Sequence, residues 1–344
     1  MSMLCTAGTA SCADAPSDAN AVAASSPSVD TVPRRSMGAI LRVDARVLHS
    51  YDLANQGHGV SKELNDRVVF CARAWRVAIE RTVATETSLI VHGKRAGTPV
   101  VLKVVKEEGD EWRCGEIAAK FGGRGVVQVY EHTDGAALFE KLDPGEPLAA
   151  LTLAGRDDEA TDILATMLGR MAPGDPPEGS ATVEQWGEGF MRYLASGDER
   201  IPHTLLEPAH RIFRDLSLTQ RNPALLHGDL HHYNVLSDRA RGWCAIDVKG
   251  VVGELEYELG AALRNPIDRP DLFASLDVVE RRLDHFGLGL GIDTSRARGW
   301  CFAQAVLSAI LSIEDGGGEA ERDAALALAR VLLDSSALKA DFLD

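Results

Sequence analysis

What this chain lacks narrows its class before any motif is read. No run reaches the roughly 18 apolar residues that a membrane-spanning helix needs; the nearest, Trp300 to Ile313, is interrupted by Gln304, Ser308 and Ser312. Basic charge is scarce: 36 Lys and Arg face 51 Asp and Glu among 344 residues, a formal net charge of −15. Such a surface repels phosphate backbones as a whole, so neither nucleic acid nor a membrane is expected as a partner. The six cysteines (Cys5, Cys12, Cys71, Cys114, Cys244 and Cys301) include no Cys-x-x-Cys pair, which fits reduced thiols in a cytoplasm better than disulfides or a zinc knuckle. Met1 to Leu4 carries neither a basic residue nor the start of an apolar stretch, so no secretory signal is expected. Residues 1–36 contain no aromatic side chain and consist largely of Ala, Ser, Thr, Asp and Pro. They cannot bury enough apolar surface to offset the entropy of ordering them, and a flexible tail is expected there.

What is present suffices for one large core or two ordinary ones, with 45% hydrophobic residues. Leu64, Val68, Cys71, Ala72 and Trp75 recur at helical spacing behind Ser61, a plausible N-cap. Three β-rich segments follow, Val77 to Val83, Thr87 to His92 and Pro99 to Val105, separated by turn-forming residues, and they predict an antiparallel meander. A helix is expected from Asp110 to Phe121, stopping at Gly122-Gly123, then strands Val126 to His132 and Ala136 to Leu142. Beyond Asp143-Pro144-Gly145 the period turns helical: 157–171, 182–194, 204–216, 272–286, 294–313 and 320–338. The change of period places a boundary near residue 143, between a small sheet-rich lobe (37–142) and a larger helical lobe (143–344). The cleft between two such lobes is a common ligand site.

One segment of the helical half carries chemistry. Ala224 to Leu236 reads ALLHGDLHHYNVL, and after a short polar turn comes the apolar strand Cys244-Ala245-Ile246-Asp247-Val248. His227, Asp229, Asn234 and Asp247 thus form an H-x-D-x-x-x-x-N pattern followed by a strand-borne aspartate. Phosphoryl transfer uses these residue types: one carboxylate orients the acceptor hydroxyl and takes its proton, and two further oxygen donors hold Mg²⁺ against the phosphates. Asp229 suits the first role, Asn234 and Asp247 the second.

This stretch resembles the catalytic loop of the aminoglycoside phosphotransferases, small-molecule kinases of the protein-kinase-like fold. The continuation Ile246-Asp247-Val248-Lys249-Gly250-Val251-Val252-Gly253-Glu254, then Tyr257-Glu258-Leu259 and Leu263-Arg264-Asn265-Pro266, resembles more narrowly the branch of streptomycin 6-kinases and hydroxyurea phosphotransferases. The similarity covers most of residues 65–320. It implies an α+β, bilobal protein-kinase-like fold: a small antiparallel-sheet N-lobe with one main helix, and a larger, mostly helical C-lobe. It also implies ATP as donor, Mg²⁺, a cytoplasmic enzyme, and a small, cationic substrate, streptomycin at its 6-hydroxyl before hydroxyurea or another metabolite. By the same resemblance Lys103, in an otherwise apolar strand, clamps the α- and β-phosphates. Glu116, thirteen residues on, steadies it in preference to Glu111, and the backbone of Phe139-Glu140-Lys141-Leu142 receives adenine.

Arg81 to Ser88, between the first two strands, contains no glycine, so backbone amides and the hydroxyls of Thr85, Thr87 or Ser88 are expected to meet the phosphates, with Glu86 an awkward neighbour. Lys249 reads equally as a surface residue or as an extra cation near the transferred phosphate. His227 is expected to brace the loop, Glu258 to tie it to the next helix, and Trp186, Trp243 and Trp300 to pack the interior. Acidic residues of the helical lobe, among them Asp157, Glu159, Glu184, Asp268 and Glu314, could receive a cation, although a solvated face is their commoner role. The rival reading is a metal-dependent hydrolase built on His227, Asp229 and His231.

Overall fold

The computed structural model describes residues 61–343; the segment expected as a tail, Cys5, Cys12 and the first part of the expected N-lobe lie outside that range. The described chain begins with helix α1 (Lys62–Ala74), where the Ser61 hydroxyl accepts the Leu64 N–H at 3.2 Å. Leu64, Val68, Cys71 and Ala72 form its buried stripe. The stripe lies against one face of a sheet made of β1 (Val77–Ala84), β2 (Ser88–Arg95), β3 (Thr98–Val105), β4 (Val129–Thr133) and β5 (Ala136–Glu140). The strands run antiparallel in the order β1-β2-β3-β5-β4.

Strict alternation then decides what the other face carries. Leu89, Val91, Val100, Leu102, Val104 and Leu138 point into the core with α1. The opposite face bears two cross-strand rows, Val83-Ile90-Lys103-Ala137 and Arg81-His92-Val101-Phe139. Lys103 therefore stands on the side of the sheet turned away from α1.

Helix α2 (Cys114–Ala119) covers part of that side and is shorter than the sequence predicts. Residues 110–113 form turns instead. The Trp112 carbonyl accepts the Gly135 N–H at 2.7 Å and its ring lies under the Arg67 guanidinium, 4.7 Å from the ring centroid. Those tertiary contacts compete with helical geometry and win. The strand expected from Val126 begins three residues later, because Val126 bridges to Ala245 in the helical half and Val127 donates to the Ala245 carbonyl at 2.8 Å.

The second half contains β6 (Pro144–Pro147), α3 (Ala149–Leu153), α4 (Asp157–Arg170), α5 (Val183–Ser196) and α6 (His203–Leu218). Next come β7 (Ala224–Leu226), β8 (Val235–Asp238), β9 (Gly242–Ala245), β10 (Val251–Gly253) and α7 (Leu255–Leu263). The chain closes with α8 (Leu276–Leu290), α9 (Thr294–Glu314), α10 (Glu319–Asp334) and α11 (Ser336–Phe342). The long helix predicted for 320–338 is thus two, broken at Ser335, which is extended and accepts the Leu338 N–H. Helix α9 is the axis of this half, buried from Arg296 to Ser312 and packed by α5, α6, α7, α8, α10 and α11. Trp186 and Trp300 are core residues, and Trp243 is half-buried.

Candidate active site

The loop between β7 and β8, residues 227–234, is held from three directions. From behind, the Glu258 carboxylate on α7 accepts the backbone N–H groups of Gly228, at 3.1 Å to both oxygens, and of Leu230 at 3.2 Å. Burial nevertheless pushes that carboxyl up to about 7. From the side, the His227 ring acts as a strut: Nε2 donates to the Ile246 carbonyl at 2.9 Å, while Nδ1 accepts the Asp229 N–H at 3.3 Å. From within, Asn234 donates its side-chain N–H to the Asp229 carbonyl at 2.9 Å and its backbone N–H to the His231 carbonyl at 2.9 Å.

The neighbouring turn is pinned to the same loop. The His227 carbonyl accepts the N–H groups of Lys249 at 3.0 Å and Gly250 at 2.9 Å, and the Asn234 carbonyl accepts that of Ile246 at 2.8 Å. Between these anchors Asp247 takes φ +63°, a left-handed conformation uncommon for a residue with a side chain. Gly250, at φ +79°, lets Ile117 of α2 pack against it: a Cβ there would lie 2.5 Å from Ile117 Cγ2.

Lys103 reaches across the cleft. Its ammonium lies 2.8 Å from Glu111 Oε2 and also contacts Asp247 Oδ1. Burial alone would depress this lysine, but the charges of Asp247 and Glu111 outweigh it and hold its pKa above the ordinary value. Asp229 is buried as well. Burial would raise its carboxyl, yet Lys249, at 3.0 Å from Oδ2, with His231 and Arg264, holds it well below the usual carboxylate range. The His231 ring stands 3.8 Å from Asp229 Oδ1 and is pushed down to about 4 by its burial, so it is neutral near pH 7.

Several expectations need correction. Glu116 does not meet Lys103: its carboxylate accepts from Arg113 Nε at 2.7 Å and is 38% exposed. Glu111 meets Lys103 instead, because the turns before α2 carry it inward. Ser88 and Thr87 reach Glu111 too, with hydroxyls at 3.3 and 3.1 Å from Oε2. Thr85 replaces a glycine in shaping the loop, its hydroxyl accepting the Ser88 N–H at 3.0 Å, and Glu86 is exposed. Glu140 turns its side chain to a structural clasp, accepting the Gln128 N–H at 2.7 Å and pairing with Arg241, whose guanidinium also holds the carbonyls of Gly123 and Val126. Leu142 is buried. Lys249, undecided from sequence, is buried at the site, and nothing in its own residue type distinguished it; its apolar flanks were the available signal.

The donor chemistry fits a nucleotide-bound Mg²⁺. Asn234 commits its amide nitrogen to Asp229, which leaves its oxygen for a cation, and Asp247 supplies a carboxylate. Among the described residues no group of three or more His, Cys, Asp or Glu could hold a metal ion alone. An ion here would need phosphate oxygens and water, the habit of Mg²⁺. The ligand set of the hydrolase reading does not assemble, since both His227 ring nitrogens are engaged.

Of the acidic residues considered for a cation, most are paired: Asp157 with Arg281 and Arg282, Glu159 with Arg156, Glu314 with Arg192, and Glu184 with Gln220. Asp268 is exposed and accepts the Tyr233 hydroxyl at 2.8 Å, beside the loop that carries Asn234. No helix of the described residues is long and apolar enough to cross a membrane.

Comparison with known proteins agrees with this geometry. Residues 74–316 match the model of the aminoglycoside/hydroxyurea antibiotic resistance kinases. The chain is 33% identical to a streptomycin 3''-kinase of Klebsiella pneumoniae, over 76% of this chain and 99% of that protein. It is 29% identical to a streptomycin 6-kinase of Streptomyces glaucescens, over 75% and 85%. Among solved structures, aminoglycoside phosphotransferase APH(4)-Ia, in a ternary complex with ADP and hygromycin B, superposes with a TM-score of 0.53 at 14% identity, over 78% of this chain and 98% of that one. The two-part architecture, a sheet-bearing first half and a helical second half with the cleft between them, is the protein-kinase-like fold, and this chain belongs to the aminoglycoside/hydroxyurea antibiotic resistance kinase family.

Proposed function

We propose that the protein is an ATP- and Mg²⁺-dependent streptomycin phosphotransferase of the cytoplasm that inactivates the antibiotic by phosphorylating its 6-hydroxyl. The observation that carries the reading is the pairing of Lys103 on β3 with Asp247 beside the 227–234 loop. It sets a phosphate-binding ammonium against a metal-binding carboxylate, with Asp229 within the same buried charge cluster. The relatives named for streptomycin and the neighbour complexed with ADP support the acceptor and the donor.

In this mechanism Lys103 binds the α- and β-phosphates, with Glu111 holding its ammonium in place. Val83, Ile90, Val101 and Phe139, on the sheet face that bears Lys103, provide an apolar wall for the base. Asn234 and Asp247 would hold Mg²⁺, which when bound neutralises phosphate charge. Asp229 orients the acceptor hydroxyl and takes its proton. Its low pKa makes orientation the larger part of that work, because a carboxylate so stabilised is a weak base.

The test is ATP consumption against streptomycin, hydroxyurea, kanamycin and no acceptor, followed by NMR of the phosphorylated product. Turnover with streptomycin alone and phosphate on the 6-hydroxyl is expected. Phosphate at the 3'' position would move the assignment to the chemistry named for the Klebsiella relative, which matches almost end to end. Turnover with hydroxyurea alone would replace streptomycin altogether, and turnover with none would refute the reading.

A further inference from the structure

The mechanism above gives no task to the buried cation that touches Asp229. Lys249 follows Asp247 by two residues, and its side chain is only 6% exposed. Its ammonium lies 3.0 Å from Asp229 Oδ2, and its charge also interacts with Glu111 and Asp247. Stability does not explain it, since a buried ion pair recovers its desolvation cost incompletely, and apolar residues of similar volume commonly do as well or better. Its placement is telling. Lys103 is engaged on the donor side of the cleft by Glu111 and Asp247, whereas Lys249 stands on the acceptor side, against the carboxylate that must receive a hydroxyl. While that pair persists, one oxygen of Asp229 is covered. An incoming γ-phosphoryl group offers this ammonium the negative charge it needs in order to turn.

We propose that Lys249 is a catalytic cation of the transfer: with nucleotide in the cleft its ammonium donates to the γ-phosphoryl oxygens, and Asp229 Oδ2 is released for the acceptor hydroxyl. This rests on the kinase reading. The backbone N–H of Lys249 stays bound to the His227 carbonyl, so only the side chain moves, and its flexible four-carbon stem lets the ammonium turn from Asp229 to the phosphoryl oxygens. In the step itself, an acceptor oxygen lone pair forms the O–Pγ bond. The bond between Pγ and the β,γ-bridging oxygen breaks with its electron pair remaining on ADP, and the hydroxyl proton passes to Asp229 and then to water. Lys249 keeps its protons throughout and stabilises the charge spread over the equatorial oxygens.

A contact made only to the γ-phosphoryl group has a binding signature that a structural lysine lacks. Calorimetry would give dissociation constants for AMP-PNP and for ADP, each with Mg²⁺, in the wild type, Lys249→Gln and Lys249→Arg. Lys249→Gln should weaken AMP-PNP by about 10- to 150-fold, the worth of a charge-assisted hydrogen bond, while ADP stays within about threefold. Its kcat should fall at least 100-fold, with partial recovery in Lys249→Arg. Because the glutamine variant strands the charge of Asp229, the ratio is also measured in Asp229→Asn and in Asp229→Asn/Lys249→Gln, where neither buried charge is left alone. Loss of the AMP-PNP preference in that double variant supports the proposal. An unchanged ratio, or equal weakening of both nucleotides, overturns it while the kinase reading stands. If the wild type binds neither nucleotide, the kinase reading fails and this proposal with it.

Discussion

Which carboxylate steadies Lys103 can be decided by removing each in turn. Glu111 Oε2 lies 2.8 Å from the Lys103 ammonium, with only 7% of the lysine side chain and 11% of the glutamate side chain exposed. A hydrogen bond to a charged group contributes about 1.5–3 kcal/mol. At about 1.4 kcal/mol per decade, truncation to alanine should lower kcat/KM for ATP by about 10- to 150-fold. Asp247 keeps Lys103 charged, so nucleotide binding is weakened rather than abolished. Glu116 and Arg113, 38% and 34% exposed, form a surface pair of the kind worth at most about 1 kcal/mol, so Glu116→Ala should cost less than about fivefold. Glu111→Gln separates two contributions, because a glutamine oxygen still accepts the Thr87 and Ser88 hydroxyls while the charge is gone. The assay is ADP release at saturating acceptor. Equal losses in the two alanine variants, or a larger loss at Glu116, would refute the pairing and with it the account of the phosphate loop.

Asp229→Asn should keep its affinity for Mg²⁺-nucleotide, read by calorimetry, while turnover falls by about 10²- to 10⁴-fold; full activity would remove Asp229 from the mechanism. Burial raises the Glu258 carboxyl from 4.5 to about 7, so its stabilising effect is complete below its unfolded pKa and is lost as pH rises through 7, about 3 kcal/mol at most. Urea melts of Glu258→Gln between pH 5 and 8 should lack that decline, and an identical slope in both proteins would contradict it. Gly250→Ala forces a side chain to φ +79° and sets its Cβ 2.5 Å from Ile117 Cγ2. A loss of about 1–3 kcal/mol is expected in thermal melts, and the loss in Gly250→Ala/Ile117→Ala should be smaller than the two single losses added together, because the contact is relieved while the backbone strain is not.

The strands of the five-stranded sheet and most of the long helices were legible because alternation and 3.6-residue spacing are local properties, whereas the strand expected from Cys244 to Val248 ends at Ala245 and leaves Asp247 in a turn. The Asp229, Asn234 and Asp247 pattern was legible because their spacing is a property of one loop and one turn. What sequence could not supply was the outcome of competition between local and distant contacts. Residues 110–113 carry helix-compatible side chains, yet Gly135 and Arg67 claim Trp112, and the resulting turns bring Glu111 rather than Glu116 to Lys103. Ser88, expected at the phosphates, has its hydroxyl 3.3 Å from Glu111 Oε2, a contact 23 residues on that no local pattern announces. Lys249 gave no sign of its burial beyond its apolar flanks, because the acid that draws it inward, Asp229, lies twenty residues earlier.

The clasp of Glu140 on Arg241 bears on donor preference. A side chain spent on joining the strand and helical halves cannot also read the exocyclic groups of a purine. In the proposed nucleotide site, discrimination between adenine and guanine would fall to main-chain atoms and to the apolar side chains on the sheet face that bears Phe139. A shift toward GTP would then arise through residues such as Ile90 or Val101, whereas change at position 140 would loosen the joint and leave the base unread.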